Sequence, residues 1–196
     1  MKRKVWLVAV IGIIALHPFA LHAGDCTDHV AHVMTYILEP ADAGGKSKQE
    51  VLKRIENSSE NAREKRILNK MVQISYPHKV DDIGLMGWAL YNCLESRRAN
   101  VDFALPWEKY GGAVELCALA GRAARVAAEK RDLGVTYEDF MATHLDTLAN
   151  PDPVAKLAND YAQLGARFAY GQGASQNPSE SRSEMFVLCF EESIQR

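Results

Sequence analysis

The chain has 196 residues, 47% of them hydrophobic, and a formal net charge of −2. A chain of this length can bury a substantial core. Its mildly acidic balance argues against a nucleic-acid or anionic-membrane partner, because both require a positive field.

The first residues read as a secretory signal. Lys2, Arg3 and Lys4 form a basic start, Val5 to Leu16 is an uncharged apolar run, and Leu21-His22-Ala23 ends in a small residue. That is the three-part pattern of an exported chain. The run falls short of the roughly 20 residues that a bilayer span needs, so a retained anchor is disfavoured. Asp25 before Cys26 disfavours a lipoprotein. Cleavage is expected after Ala23, with residues 1–23 removed and no stable membrane anchor left. Loss of three basic residues from 23 leaves 20 against 25 acidic ones, a net charge of −5.

A first helix is expected from Cys26, because Val30, Val33, Met34, Ile37 and Leu38 recur at helical spacing. Pro40 and Gly44-Gly45 end it. Ser47 with Glu50 forms a capping box ahead of Val51, Leu52 and Ile55. Ile67, Leu68, Met71, Val72 and Ser75 make a third stripe, stopped before Pro77. Asp81 caps a fourth helix with Ile83, Met86, Gly87, Leu90 and Leu94 inward.

Residues 99–112 read as a linker, unusually aromatic, with Phe103, Trp107 and Tyr110 around Pro106. Packing within the fold is the favoured role of these rings; exposed, they would form a partner surface. Next comes a stripe of small residues, Ala113, Cys117, Ala120, Gly121, Ala124 and Ala128, which lets another helix approach closely. Gly134 ends that helix and Thr136 caps the next. Asp152-Pro153 opens a further helix, with Val154, Leu157, Ala158, Tyr161, Gly165 and Phe168 on one face. Ser179 is expected to cap the last, which carries Met185 and Cys189 inward.

Cys26, Cys93, Cys117 and Cys189 are an even set in an exported chain, which reads as two disulfides. No Cys-x-x-Cys pair exists, which disfavours zinc and thioredoxin-like chemistry. The passages Cys26 to Cys93 and Cys117 to Cys189 share an order of landmarks. Each has an opening helix at its cysteine, a short capped segment, a stretch ending at Tyr76 or Tyr170, and a last stretch with the closing cysteine. This suggests an internal duplication. It would pair Cys26 with Cys93 and Cys117 with Cys189, although four cysteines allow three connectivities. The expected fold is all-α, about eight helices in two similar disulfide-closed four-helix units, residues 24–98 and 113–196.

No phosphate loop, nucleophile elbow or His-Glu-x-x-His is present. The weak metal candidates are His29, His32 and Asp28, with Asp25 nearby, all opposite the apolar stripe of the first helix. A solvated polar face near a helix N-terminus is the favoured reading there. The charge-rich run Glu60 to Arg66 reads as the exposed face of the third helix. Arg122, Arg125, Lys130 and Arg131 read as the outer face of the fifth. No cofactor and no catalytic residue is indicated.

Cys117, Arg131-Asp132-x-Gly134, Ala169-Tyr170 and Cys189 resemble the Cys…Arg-Asp-x-Gly…Ala-Tyr…Cys unit of small exported bacterial proteins of unknown function. The resemblance covers roughly residues 117–189 and brings no activity with it. In kind, the architecture is similar to periplasmic immunity proteins that neutralise cell-wall-degrading toxins, an analogy of fold alone. The expectation is a periplasmic or secreted non-catalytic module of protein-binding or inhibitor type, its partner another periplasmic protein. The alternatives are a hydrolase whose site forms only in three dimensions and an envelope stress or structural factor.

Overall fold

The computed structural model describes residues 23–39, 45–78, 81–144 and 152–195. The expected signal lies outside them except for Ala23, as does the turn from Pro40 to Gly44. Among the described residues the protein is all-helical: α1 (Ala23–Val33), a π turn (Met34–Leu38), α2 (Lys48–Glu56), α3 (Ala62–His78), α4 (Asp82–Ala99), α5 (Trp107–Asp132), α6 (Tyr137–His144), α7 (Pro153–Tyr170) and α8 (Pro178–Gln195). No helix among them is long and apolar enough to cross a membrane. The chain divides into two compact units between Gly111 and Gly112, inside α5. Disulfides join Cys26 to Cys93 and Cys117 to Cys189, one per unit, with Cα separations of 5.7 and 5.5 Å.

In the unit ending at Gly111, α2 begins at a complete capping box. Ser47 Oγ accepts from the Glu50 N–H, and the Glu50 side chain accepts from the Ser47 N–H. The Asp81 side chain accepts from the Ile83 N–H and starts α4. Every residue from Ile83 to Leu90 is buried, so α4 has no solvent face over its first half. It ends at Asn100 in the left-handed region (φ 55°), where asparagine is tolerated better than most residues. One stripe of α4 stitches down the segment that follows. Trp88 Nε1–H donates to the Leu105 carbonyl at 2.9 Å, Asn92 Oδ1 accepts from the Leu105 N–H, and Ser96 Oγ accepts from the Ala104 N–H. Buried backbone without a regular partner is satisfied this way. Phe103 and Trp107 are partly buried, and their rings pack on the fully buried Trp88 at 5.9 and 5.2 Å. Tyr110 is also partly buried, with Lys109 Nζ 4.8 Å above its ring. Residues 107–112 are helical rather than linker-like. Gly111 leaves the space that the Trp107 indole fills; a Cβ there would come within 2.5 Å of it.

In the unit starting at Gly112, the small-residue stripe of α5 does what its spacing suggests. A Cβ on Gly165 of α7 would lie 2.0 Å from the Ala120 carbonyl oxygen, and one on Gly121 would lie 2.7 Å from the Arg182 carbonyl oxygen of α8. Backbone therefore packs on backbone where side chains would forbid it. Phe186 and Phe190 fill the core from α8. Asp152 caps α7 ahead of Pro153. The last helix departs from expectation: Asn177, not Ser179, is its cap, accepting from the Ser179 and Glu180 N–H groups while Glu180 accepts from the Asn177 N–H. Pro178 then occupies the first helical position, where no N–H is needed.

Two expectations on polarity fail in this unit. Arg131 is not on an outer face. Its guanidinium turns inward and donates to the carbonyls of Ala169, Gly173 and Gln176 at 2.7, 3.0 and 2.7 Å, held from behind by Asp132. Gly134 (φ +83°) turns the chain so that the Val135 carbonyl accepts from Tyr170 Oη at 3.0 Å. The Arg-Asp-x-Gly and Ala-Tyr residues thus form one clasp on the C-terminal end of α7, where a cation also suits the helix dipole. Val154 and Leu157, expected inward, are 74% and 45% exposed. The buried face of α7 is centred instead on Ala162, Gly165, Ala166 and Ala169, because only small residues fit against α5.

Candidate functional site

The polar centre of the first unit grows from α1 and α3. Cys26 and Val30 point into the core, one turn apart. His29 follows them inward instead of facing solvent; it is 5% exposed. Its partner is Glu64 of α3: Nδ1 lies 2.6 Å from Oε1. His32, one turn on, places Nδ1 3.3 Å from the same oxygen and 3.5 Å from Glu60 Oε2. Tyr36 in the π turn donates to Glu60 Oε1 at 3.1 Å and lies beneath Arg54. Tyr36 lies within the π segment Met34–Leu38, a kind of turn frequent at functional sites.

Burial pushes the Glu64 carboxyl up, but hydrogen bonds and charge from His29 and His32 outweigh it and hold the carboxyl below its ordinary value. Glu64 is therefore ionised at neutral pH. An ionised carboxylate only accepts hydrogen bonds, so Nδ1 of His29 carries a proton.

The run Glu60 to Arg66 is thus not one exposed face. Glu60 and Glu64 turn toward α1, while Arg63 and Arg66 turn outward to Asp102 at 2.9 and 3.2 Å. The hydrogen bond from Arg66, and after an opposing desolvation effect that from Arg63, holds the Asp102 carboxyl low. Asp28 is exposed and outside the cluster, and the Asp25 side chain lies outside the described residues. No group of three or more His, Cys, Asp or Glu is arranged to hold a metal among the described residues. The two histidines do come together, but on Glu64.

Beside this pair opens a polar cavity of about 170 Å³, lined among others by His29, Arg63, Glu64, Asn92, Arg97 and Asp102. Cys93 also reaches it. Buried His29, Asn92 and half-buried Glu64 form its deep end; Arg63, Arg97 and Asp102 form the rim. Sequence reasoning missed Glu60, Glu64 and the rim. One signal was available: His29 and His32, one turn apart on α1, can share one carboxylate, and Glu64 stands in the first turn of α3. Comparison of the chain with protein-family models, curated proteins and solved structures returns no match.

Proposed function

We propose that the protein is exported through its N-terminal signal and acts outside the cytoplasm as a non-catalytic, disulfide-stapled binding module of inhibitor or immunity type. One observation carries the binding role. Val154, Leu157 and Leu164 of α7 remain exposed along one flank while the other flank packs on small residues of α5. An apolar stripe left outside a closed core marks a partner surface. Two disulfides and the seven-landmark resemblance support export. The parallel order of landmarks in the two halves supports a duplication.

The test is recovery of partners from a periplasmic extract by the wild-type protein and by a Val154→Asp, Leu157→Asp variant. Both residues are surface-exposed, so the variant keeps its helical spectrum. A protein recovered by the wild type and lost with the variant supports the reading. Identical recovery, or none, refutes it.

A hydrolase is the second reading, favoured by the His29–Glu64 pair in a polar cavity. Against it, the hydroxyl at the cavity, Ser96 Oγ, accepts from the Ala104 N–H, and its cysteine, Cys93, is tied in the disulfide to Cys26, so neither stands ready as a nucleophile.

A further inference from the structure

We infer that the cavity beside His29 and Glu64 is a binding site for a small free amino acid, its carboxylate on Arg63 at the rim and its ammonium group on Glu64 at the deep end. Size comes first. A volume of about 170 Å³ is that of roughly six waters at about 30 Å³ each, room for a molecule the size of glycine or alanine with water beside it. Drug-sized ligands need more.

Charge follows. The rim carries Arg63 and Arg97 against Asp102, with Arg66 just behind it. Arg63 and Asp102 are 51% and 45% exposed. A pair that exposed contributes little, so an incoming carboxylate displaces Asp102 from Arg63 with little loss. Asp102 is not stranded, because Arg66 Nη2 still donates to it at 3.2 Å. Arg63 Nη2 stays anchored on the Val101 carbonyl at 3.2 Å, and the Nε–H that Asp102 leaves is offered to a carboxylate oxygen. At the deep end, Glu64 uses Oε1 for both histidines. An ammonium group there meets an ionised carboxylate that is half shielded from water, where attraction is stronger.

The test is an NMR titration of the 15N-labelled protein with L-alanine and, separately, with N-acetyl-L-alanine, which keeps the carboxylate and lacks the ammonium group. L-Alanine is expected to give saturable shifts at the amides of residues 61–64 and 92–97. Arg63→Gln weakens binding by about tenfold or more, the loss of a charge-assisted hydrogen bond. Arg98→Gln, one residue beyond the cavity and paired with Glu95, leaves affinity unchanged. N-acetyl-L-alanine binds at least tenfold more weakly. The inference is overturned by no saturable shift, by equal losses in the Arg63 and Arg98 variants, or by equal binding of the two ligands.

Discussion

Replacing Gly165 with alanine sets two effects of opposite sign against each other. In a helix interior alanine is favoured over glycine by about 1 kcal/mol. The new methyl carbon, however, would sit 2.0 Å from the Ala120 carbonyl oxygen and 2.8 Å from the Ala124 nitrogen. Both are backbone atoms of α5 and cannot rotate away, so α7 must lift. Overpacking costs roughly 1–3 kcal/mol where side chains absorb the strain, and more where they cannot. The net effect is a loss of at least about 2 kcal/mol, or a fall of about 4–8 °C in Tm for a chain of this size. Gly112→Ala provides the opposite sign. Nothing lies within 4 Å of its Cβ position, and the residue is exposed within α5, so it gains up to about 1 kcal/mol. Urea and thermal unfolding followed at 222 nm measure both. A Gly165→Ala protein as stable as the wild type would refute the close backbone contact of α5 and α7.

Three further outcomes are expected. Glu64 has a folded pKa below its ordinary 4.5, so its pairing stabilises the protein above that value and is lost as pH falls through the folded value; the stability difference between wild type and Glu64→Gln, measured by denaturant unfolding from neutral to acid pH, shrinks below about pH 4.5, and a constant difference contradicts the pairing. Each disulfide closes a loop of 67 or 72 residues, worth about 4 kcal/mol in the chain-entropy model, so reduction lowers Tm markedly; because Cys93 reaches the cavity while Cys117 is wholly buried, timed alkylation and mass spectrometry show Cys26 and Cys93 labelled first. Arg131→Lys keeps the charge but cannot span three carbonyls with a rigid fork, so it lowers unfolding free energy by roughly 2–3 kcal/mol; an unchanged value removes the clasp from the account.

Local rules were readable without the fold. Helical periodicity marked Val30 to Leu38 and Ile67 to Val72, and cap chemistry marked Ser47, Asp81 and Asp152, because these signals depend on residues within one or two turns. Small residues at Ala120, Gly121 and Ala124 foretold a close helix approach. The even cysteine count foretold two bridges, and the observed pairing is the one of three that the parallel landmarks favoured.

What needed the tertiary structure is every contact between residues distant in sequence. His29 reads as solvated until Glu64, 35 residues away, supplies the carboxylate that allows an imidazole to be buried. Arg131 reads as a surface cation until the end of α7 presents carbonyls to it. Val154 and Leu157 read as core because periodicity reports which residues share a face, not whether another helix extends far enough to cover it. The sequence by itself determined the helices, the caps at Ser47, Asp81 and Asp152, and an even set of cysteines; which cysteines pair, and the meeting of α1 with α3 that makes the cavity, was decided only by how the helices pack, since burial and charge pairing are properties of partners brought together in space.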